Sequence, residues 1–110
     1  MADETGAADA PAIVLQLFVT GQTPRSLRAL ANLRRICDLR LPGRYEIRVV
    51  DVLERPQVAE EARVLATPTL IRLAPAPNRR VIGDLSDERR VIDGLELDGA
   101  AGSSLPASFP

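Results

Sequence analysis

Histidine, lysine and tryptophan are absent from this chain of 110 residues, and Cys37 is its only cysteine. The absence of histidine excludes Ser-His and Cys-His catalysis and histidine-based metal sites. A single cysteine forms neither an intramolecular disulfide nor a CxxC redox pair nor a cysteine-based zinc site. The phosphate-binding spacings GxGxxG and GxxxxGK[ST] are also missing. We therefore expect no catalytic residue, no metal ion and no cofactor.

Carboxylates are the remaining candidates for acid-base catalysis. Glu60 and Glu61 are adjacent on a predicted helix, so their side chains diverge. Asp87 and Glu88 suit the first turn of another helix, where acidic side chains favour the helix dipole. Cys37 falls on the apolar stripe of a third helix, which predicts a small buried side chain rather than a reactive thiol. The sequence thus favours a protein that is not an enzyme.

Aromatic residues and long apolar runs are also scarce. Aromatic residues make up 3% of the chain and its formal net charge is -1, which disfavours base stacking and general binding of polyanions. No stretch approaches the roughly 20 apolar residues of a membrane span, and Asp3 and Glu4 stand where a secretion signal would be basic. We expect a cytoplasmic protein that binds neither nucleic acid nor membranes.

Two flanking segments differ in composition from the centre of the chain. Residues 1–11 and 98–110 are rich in small residues, Pro and Asp and lack periodic apolar positions, so we predict disordered tails around one domain at residues 12–97. All 14 basic residues are arginines, and the acidic residues in the flanks leave the domain with an excess of arginine. Such an excess suits an acidic partner surface.

The first half of the domain has the pattern of a strand, a helix and a second strand. Ile13–Thr20 is an apolar run of strand length, which predicts a central strand buried on both faces. Thr23 suits the N-cap of a helix that runs to about Leu41. The predicted apolar face of this helix carries Leu27, Leu30, Leu33 and Cys37. Alternation over Tyr45–Val52 predicts the second strand.

The second half predicts a helix, a hairpin and a last helix. These elements are Gln57–Leu65, the strands Leu70–Leu73 and Arg80–Ile82 with a turn at Pro75–Asn78 between them, and a helix capped by Ser86. The order β-α-β-α-β-β-α is that of the α/β thioredoxin-like fold, one sheet with helices on its faces. Pro68 precedes the third strand, where that fold commonly has a cis-proline, so Pro68 is a candidate structural cis-proline.

The most informative surface lies on the first helix. Arg25, Arg28, Asn32 and Arg35 follow one another at steps of three or four residues. They therefore share one side of the helix, opposite the predicted apolar face. This basic stripe is either a solvated helix face or a docking surface for an acidic partner, and Arg48 on the second strand is a candidate extension of it.

Four segments together resemble the KaiB family: Val19–Pro24 (VTGQTP), Val50–Leu53 (VDVL), Ala66–Leu70 (ATPTL) and Arg79–Ser86 (RRVIGDLS). The resemblance covers about Ile13–Leu97. It implies a non-enzymatic protein that binds the N-terminal ATPase ring of a hexameric KaiC-type ATPase. That protein would modulate the ATPase and phosphorylation cycle of KaiC in a circadian or other timekeeping system. A KaiA-like protein or a KaiC-binding histidine kinase would be a further partner.

The resemblance also implies residue roles and a second fold. Arg28, Arg48 and Arg79 match basic positions implicated in partner binding; Arg80 is a neighbour, and Arg25 lies on the basic stripe. KaiB proteins switch fold in their C-terminal half, between a self-associated ground state (tetramer or dimer) and a monomeric thioredoxin-like form that binds. Gly94 and Glu96 match positions that influence this balance, with Glu where well-known members have Asp. Gly94 also weakens the last helix by roughly 1 kcal/mol relative to Ala.

Other functions stay open at this point. A KaiB-like protein of stress adaptation would carry the same residues, because no residue pattern separates a clock from an hourglass timer or a stress response. The sensor domain of a KaiC-binding histidine kinase would share the fold, and a thioredoxin-like redox protein is disfavoured by the missing CxxC. The residues also leave open the resting fold, the oligomeric state and the role of the tail 98–110, which lacks the strong acidity of cyanobacterial members.

Overall fold

A computed structural model of the protein describes residues 12–97, so the tails predicted at 1–11 and 98–110 lie outside the described residues. Its elements are β1 (Ile13–Val19), α1 (Pro24–Arg40), β2 (Tyr45–Asp51), α2 (Pro56–Glu61), β3 (Thr69–Ala74), β4 (Arg79–Ile82) and α3 (Glu88–Leu95). The predicted order β-α-β-α-β-β-α is therefore confirmed. Within this range no helix has both the length and the apolar character that crossing a lipid bilayer requires.

The four strands form one sheet in the order β2-β1-β3-β4. β1 pairs parallel with β2 and antiparallel with β3, and β3 pairs antiparallel with β4. Leu15, Leu17 and Phe18 of β1 are completely buried, so the predicted central strand is confirmed. Because side chains alternate along a strand, Leu15 and Leu17 face α1 and α3, whereas Phe18 faces α2.

The first helix begins where its cap residues predict. Thr23 Oγ1 accepts a hydrogen bond from the N–H of Ser26 at 3.2 Å, and Pro24 is the first helical residue. The residues of α1 buried against the sheet are Ser26, Ala29, Leu33, Ile36 and Cys37. The prediction that Leu27 lies on the apolar face is thus wrong, because Leu27 is 53% exposed. The buried residues from Ser26 through Ala29 to Ile36 define the face of α1 that contacts the sheet, and Leu27 lies at the side of that face.

Two other helix boundaries differ from the sequence prediction. α2 ends at Glu61, four residues early, because Arg63 adopts a left-handed conformation with φ 58 that does not continue a helix. The N-cap of α3 is Asp87 rather than Ser86, since Asp87 Oδ1 accepts from the N–H of Arg90 at 3.2 Å. Ser86 instead donates its N–H to Asp84 Oδ1 at 3.1 Å in the loop before α3.

Candidate functional site

Hydroxyl groups hold the junction between β1 and α1. Ser26 Oγ accepts from the N–H of Thr20 at 3.2 Å, and the Oγ1 atoms of Thr20 and Thr67 are 2.6 Å apart. Gly21 has a φ of +57 and donates its N–H to Asp51 Oδ1 at 3.0 Å, so this turn favours glycine. The Thr67–Pro68 peptide beside the junction is cis. The hydroxyls are therefore engaged in fixing the turn.

The single thiol lies away from this junction. Cys37 is completely buried in the larger core, among side chains of α1 and the sheet. Burial, followed by the negative charge of Asp38, raises the pKa of Cys37 to about 12. The thiol is therefore protonated at neutral pH and packs as a small apolar side chain.

The basic stripe of α1 is tied to the segment that begins α3. Arg28 Nη1 is 3.4 Å from Asp84 Oδ2, and Asn32 Nδ2 donates to the carbonyl oxygen of Asp84 at 2.9 Å. Arg35 and Arg40 both form ion pairs with Glu88, at 3.4 and 3.2 Å. These pairs, which we call the α1 clasp, are partly exposed, so each contributes little alone. Together they tie the N-terminal half of the domain to its last helix.

Asp84 is the centre of the α1 clasp. Hydrogen bonds from Ser86, and then from the guanidinium of Arg28, lower the pKa of Asp84 below its usual value. Arg25 lies one turn earlier on the stripe, beside a groove of about 350 Å³ that it shares with Asp84, Asp87 and Arg90. The groove thus carries charges of both signs.

Arg48 and Arg80 lie in one row across the sheet. The pairing runs from Arg48 to Gln16, from Gln16 to Ile71 and from Ile71 to Arg80. Paired residues share a face, and Ile71 packs in the core under α2, so both arginines lie on the α2 side of the sheet. Three strand spacings separate them, which is about 14 Å. The expectation that Arg48 extends the α1 stripe is therefore wrong, because the sheet lies between them.

Arg79 points to the opposite face from its neighbour Arg80. It forms an ion pair with Glu96 at 3.1 Å, beyond the end of α3. Arg80 donates instead to the carbonyl oxygens of Ala62 and Arg63, at 2.7 and 3.2 Å. The structure thus divides the five candidate arginines between the α1 and α3 side, with Arg25, Arg28 and Arg79, and the α2 side, with Arg48 and Arg80.

The two positions that the resemblance associates with fold switching both lie at the end of α3. Glu96 is the C-cap of α3 and has a left-handed backbone conformation, with φ 56 and ψ 43. Residues other than glycine adopt this conformation at a cost in free energy. A Cβ atom added to Gly94 would lie 2.6 Å from Val81 Cγ2 of β4. Glycine at position 94 therefore allows α3 to approach the sheet closely.

Two features near these arginines were missed in the sequence. Arg72 is 3% exposed and donates to the carbonyl oxygens of Leu95 and Pro77 at 2.8 and 2.9 Å, which ties the end of α3 to the hairpin. Arg72 lies two residues after Leu70 on β3, so strand alternation places both side chains on the α3 side of the sheet. The sequence alone therefore indicates this position. Arg63 lies on a groove of about 560 Å³ along α2, whose apolar wall includes Val64 and Leu65. Leu65 is 96% exposed, and no periodicity in the sequence around it indicates this exposure.

Comparison with known proteins identifies close relatives. The family domain described as the KaiB domain matches residues 16–97. The circadian clock oscillator protein KaiB of Synechococcus sp. (strain RCC307) is 54% identical over 84 residues, which are 76% of each chain. The protein of that name from Parasynechococcus marenigrum (strain WH8102) is 54% identical over 84 residues, 76% of this chain and 81% of the relative.

Solved structures show the same fold at lower identity. The N-terminal domain of Synechococcus elongatus SasA has a TM-score of 0.66 and 24% identity, over 88% of this chain and 91% of that domain. Chloroplastic thioredoxin z has a TM-score of 0.65 and 20% identity, over 90% of this chain and 88% of that chain. These likenesses establish the thioredoxin-like fold and do not by themselves indicate a function.

Proposed function

Because the chain belongs to the KaiB family, we propose that it is a regulator without catalysis of its own, which binds the N-terminal ATPase ring of a KaiC-type ATPase. Binding would modulate the ATPase and phosphorylation cycle of that partner. The observation that carries the proposal is the 54% identity to a circadian clock oscillator protein KaiB over 84 residues. The matched family domain, residues 16–97, includes all five candidate arginines.

The α2 side of the sheet is the docking surface that we favour. We define the α2 surface as Arg48, Arg63, Arg80 and the groove along α2. The guanidinium of Arg80 is held by two carbonyl oxygens, which orient the group and leave its charge for an acidic partner. Arg28 is paired with Asp84 at 3.4 Å and Arg48 with Glu46 at 2.6 Å, so Arg80 is the arginine on which this surface chiefly depends. The groove adds the exposed Leu65, and an apolar patch beside a positive charge is typical of a protein interface.

A switch of the C-terminal half is the second part of the proposal. The left-handed Glu96 costs this arrangement stability, and Gly94 lowers the helix propensity of α3 while it permits the close contact with Val81. These opposing contributions support a second arrangement only a few kcal/mol away. NMR spectra of the wild type and of Gly94→Ala are expected to show exchange between two states in residues of β3, β4 and α3. One rigid state in both proteins would remove the switch from the proposal.

Complex formation with a cognate KaiC ring tests the proposed docking directly. Size-exclusion chromatography with nucleotide present is expected to show co-elution of the wild-type protein. Arg80→Ala should weaken the affinity by about tenfold or more, because a charged group held in an interface is lost. Arg44→Ala is the matched control, since Arg44 is an exposed arginine that precedes β2 and is not among the residues that define the α2 surface. Unchanged binding of Arg80→Ala would reject this surface, and no binding by the wild type would reject the function.

A further inference from the structure

β4 forms one edge of the sheet, and no strand of residues 12–97 pairs with its outer side. The N–H of Gly83, the residue after β4, donates to the carbonyl oxygen of Pro68 at 2.9 Å, so the backbone of Gly83 points toward β3. Successive residues of an edge strand alternate in this direction. The N–H and C=O groups that point outward are therefore those of Arg80 and Ile82. Such groups are available to an added strand.

The side chains of Arg80 and Ile82 share the α2 side of this edge. Arg80 pairs with Ile71, and Ile82 pairs with Thr69, two residues earlier on β3. Ile71 packs in the core under α2. Ile82 is 45% exposed, although it belongs to the sheet. An exposed apolar side chain beside unpaired backbone groups suits an apolar residue of an added strand.

The edge leads into the groove of about 350 Å³ that lies between the starts of α1 and α3. Ile82 and Gly83 line the groove at the end of β4. Beyond the chain neighbours of Gly83, no described atom lies within 4 Å of the position that a Cβ atom of Gly83 would take. A chain that follows β4 in an extended conformation therefore enters the groove after it passes Ile82.

The charges of this groove favour an acidic occupant. Among residues 12–97, the side chains of Arg25 and Arg90 form no ion pair. Both carboxylates of the groove are engaged: Asp84 pairs with Arg28 at 3.4 Å, and Asp87 Oδ1 accepts from the N–H of residue 90 at 3.2 Å. Two guanidinium groups are thus left without a counter-charge, and a guanidinium binds a carboxylate through paired hydrogen bonds.

We propose that the β4 edge and this groove bind an extended acidic segment of a partner protein, which adds to the sheet beside β4. Its backbone pairs with the outward groups of Arg80 and Ile82. Because side chains alternate along a strand, one set faces Ile82 on the α2 side and the other set, which is acidic, faces Arg25 and Arg90. Backbone pairing provides affinity in this mode of binding, and the contacts of alternate side chains provide specificity.

The other edge of the sheet lacks this preference. The only arginine of β2 is Arg48, and it already pairs with Glu46 of the same strand at 2.6 Å. No positive charge of β2 is therefore left for an acidic segment. The charge pattern assigns the acidic segment to β4 among the two edges of the described sheet.

A short capped peptide in which Glu and Val alternate is the probe for this site. Amide NMR spectra of the full chain, with peptide added to about 5 mM, are expected to show saturable shifts at Arg80, Ile82 and Gly83. We expect a dissociation constant of about 1 mM or below, since few residues pair.

Two double variants test the role of the groove. Arg25→Ala/Arg90→Ala should raise the dissociation constant of the peptide by about tenfold, because both unpaired positive charges are lost. Arg34→Ala/Arg44→Ala removes two other exposed arginines and is the matched control. The control variant should bind the peptide as the wild type does.

Two further peptides separate strand addition from attraction between charges alone. A peptide of alternating Glu and Pro keeps the acidic charges but lacks half of the N–H donors, so it should bind at least about tenfold more weakly. A peptide of alternating Lys and Val is able to form the strand. It should also bind weakly, because its charges oppose those of Arg25 and Arg90.

Four results would overturn the proposal. They are the absence of saturable shifts, shifts confined to the amides of β2, equal binding of the Glu-Pro peptide, and unchanged binding by Arg25→Ala/Arg90→Ala. None of these measurements involves a KaiC ring, so their outcome is independent of the proposed function.

Discussion

Glu96 closes α3 in a backbone conformation that suits glycine. Its φ of 56 places the Cβ atom close to the carbonyl oxygen, which costs an ordinary residue roughly 1 kcal/mol. The side chain regains part of this cost through its ion pair with Arg79 at 3.1 Å. That pair is about half exposed on both sides, so its contribution is between about 0 and 1 kcal/mol.

Glu96→Gly is therefore expected to stabilise the thioredoxin-like arrangement. The variant relieves the left-handed strain and loses a weak ion pair, so we expect a net gain of a few tenths to about 1 kcal/mol in the free energy of unfolding. Urea denaturation measures it. Arg79→Ala is the matched control, because it removes the same ion pair and leaves the strain. If Glu96→Gly destabilises the protein as much as Arg79→Ala does, the strain is not significant.

The α1 clasp is a contact between elements whose strength depends on pH through Asp84. The pKa of Asp84 is lowered by hydrogen bonds from Ser86 and then by Arg28. A group whose pKa falls on folding stabilises the folded state above its unfolded pKa, about 3.9 for aspartate. This stabilisation is lost as the pH falls below that value and through the folded-state pKa of Asp84. The clasp should thus loosen in acid.

Asp84→Asn tests this dependence. The variant should be less stable than the wild type at pH 7, and the difference between their free energies of unfolding should shrink as the pH falls from about 5 to about 2. Urea unfolding at a series of pH values measures it, and Asp93→Asn controls for the change in net charge. A difference that is the same at every pH would show that the Asp84 carboxylate does not stabilise the fold through its charge.

The elements themselves were largely predictable, and the reasons are local. Thr23 and Pro24 specify the start of α1, and the apolar run of β1 specifies a central strand. The sequence predictions were wrong where a tertiary contact determines the exposure of a residue or a backbone conformation determines the end of a helix. Leu27 fits a helical apolar pattern but lies beside the sheet contact, and the left-handed Arg63 shortens α2, which propensity does not show.

At the scale of the whole molecule, the candidate site was predictable in its residues and not in their arrangement. Helical periodicity correctly placed Arg25 and Arg28 on one side of α1, away from the core. It gave no information on which sheet face carries Arg48, because that depends on the pairing of β2 with β1 and on the position of α2. The opposite directions of Arg79 and Arg80 follow from strand alternation alone.

The separation of these arginines by the sheet leads to a last prediction. A compact partner surface contacts one side of a domain at a time, so the two sets of arginines should not contribute equally to docking.

The test compares two double variants, Arg48→Ala/Arg80→Ala on the α2 side and Arg25→Ala/Arg28→Ala on α1. Their affinity for a KaiC ring is measured at two salt concentrations. The α2-side variant is expected to lose about tenfold or more in affinity and part of the salt dependence, because the charges it removes are those that meet the partner. The α1 variant should bind within about threefold of the wild type, since Arg25 and Arg28 lie on the other side of the sheet from Arg80 and the α2 surface. The reverse result would move the docking surface to α1, and equal losses in both variants would require a partner that wraps around an edge of the sheet.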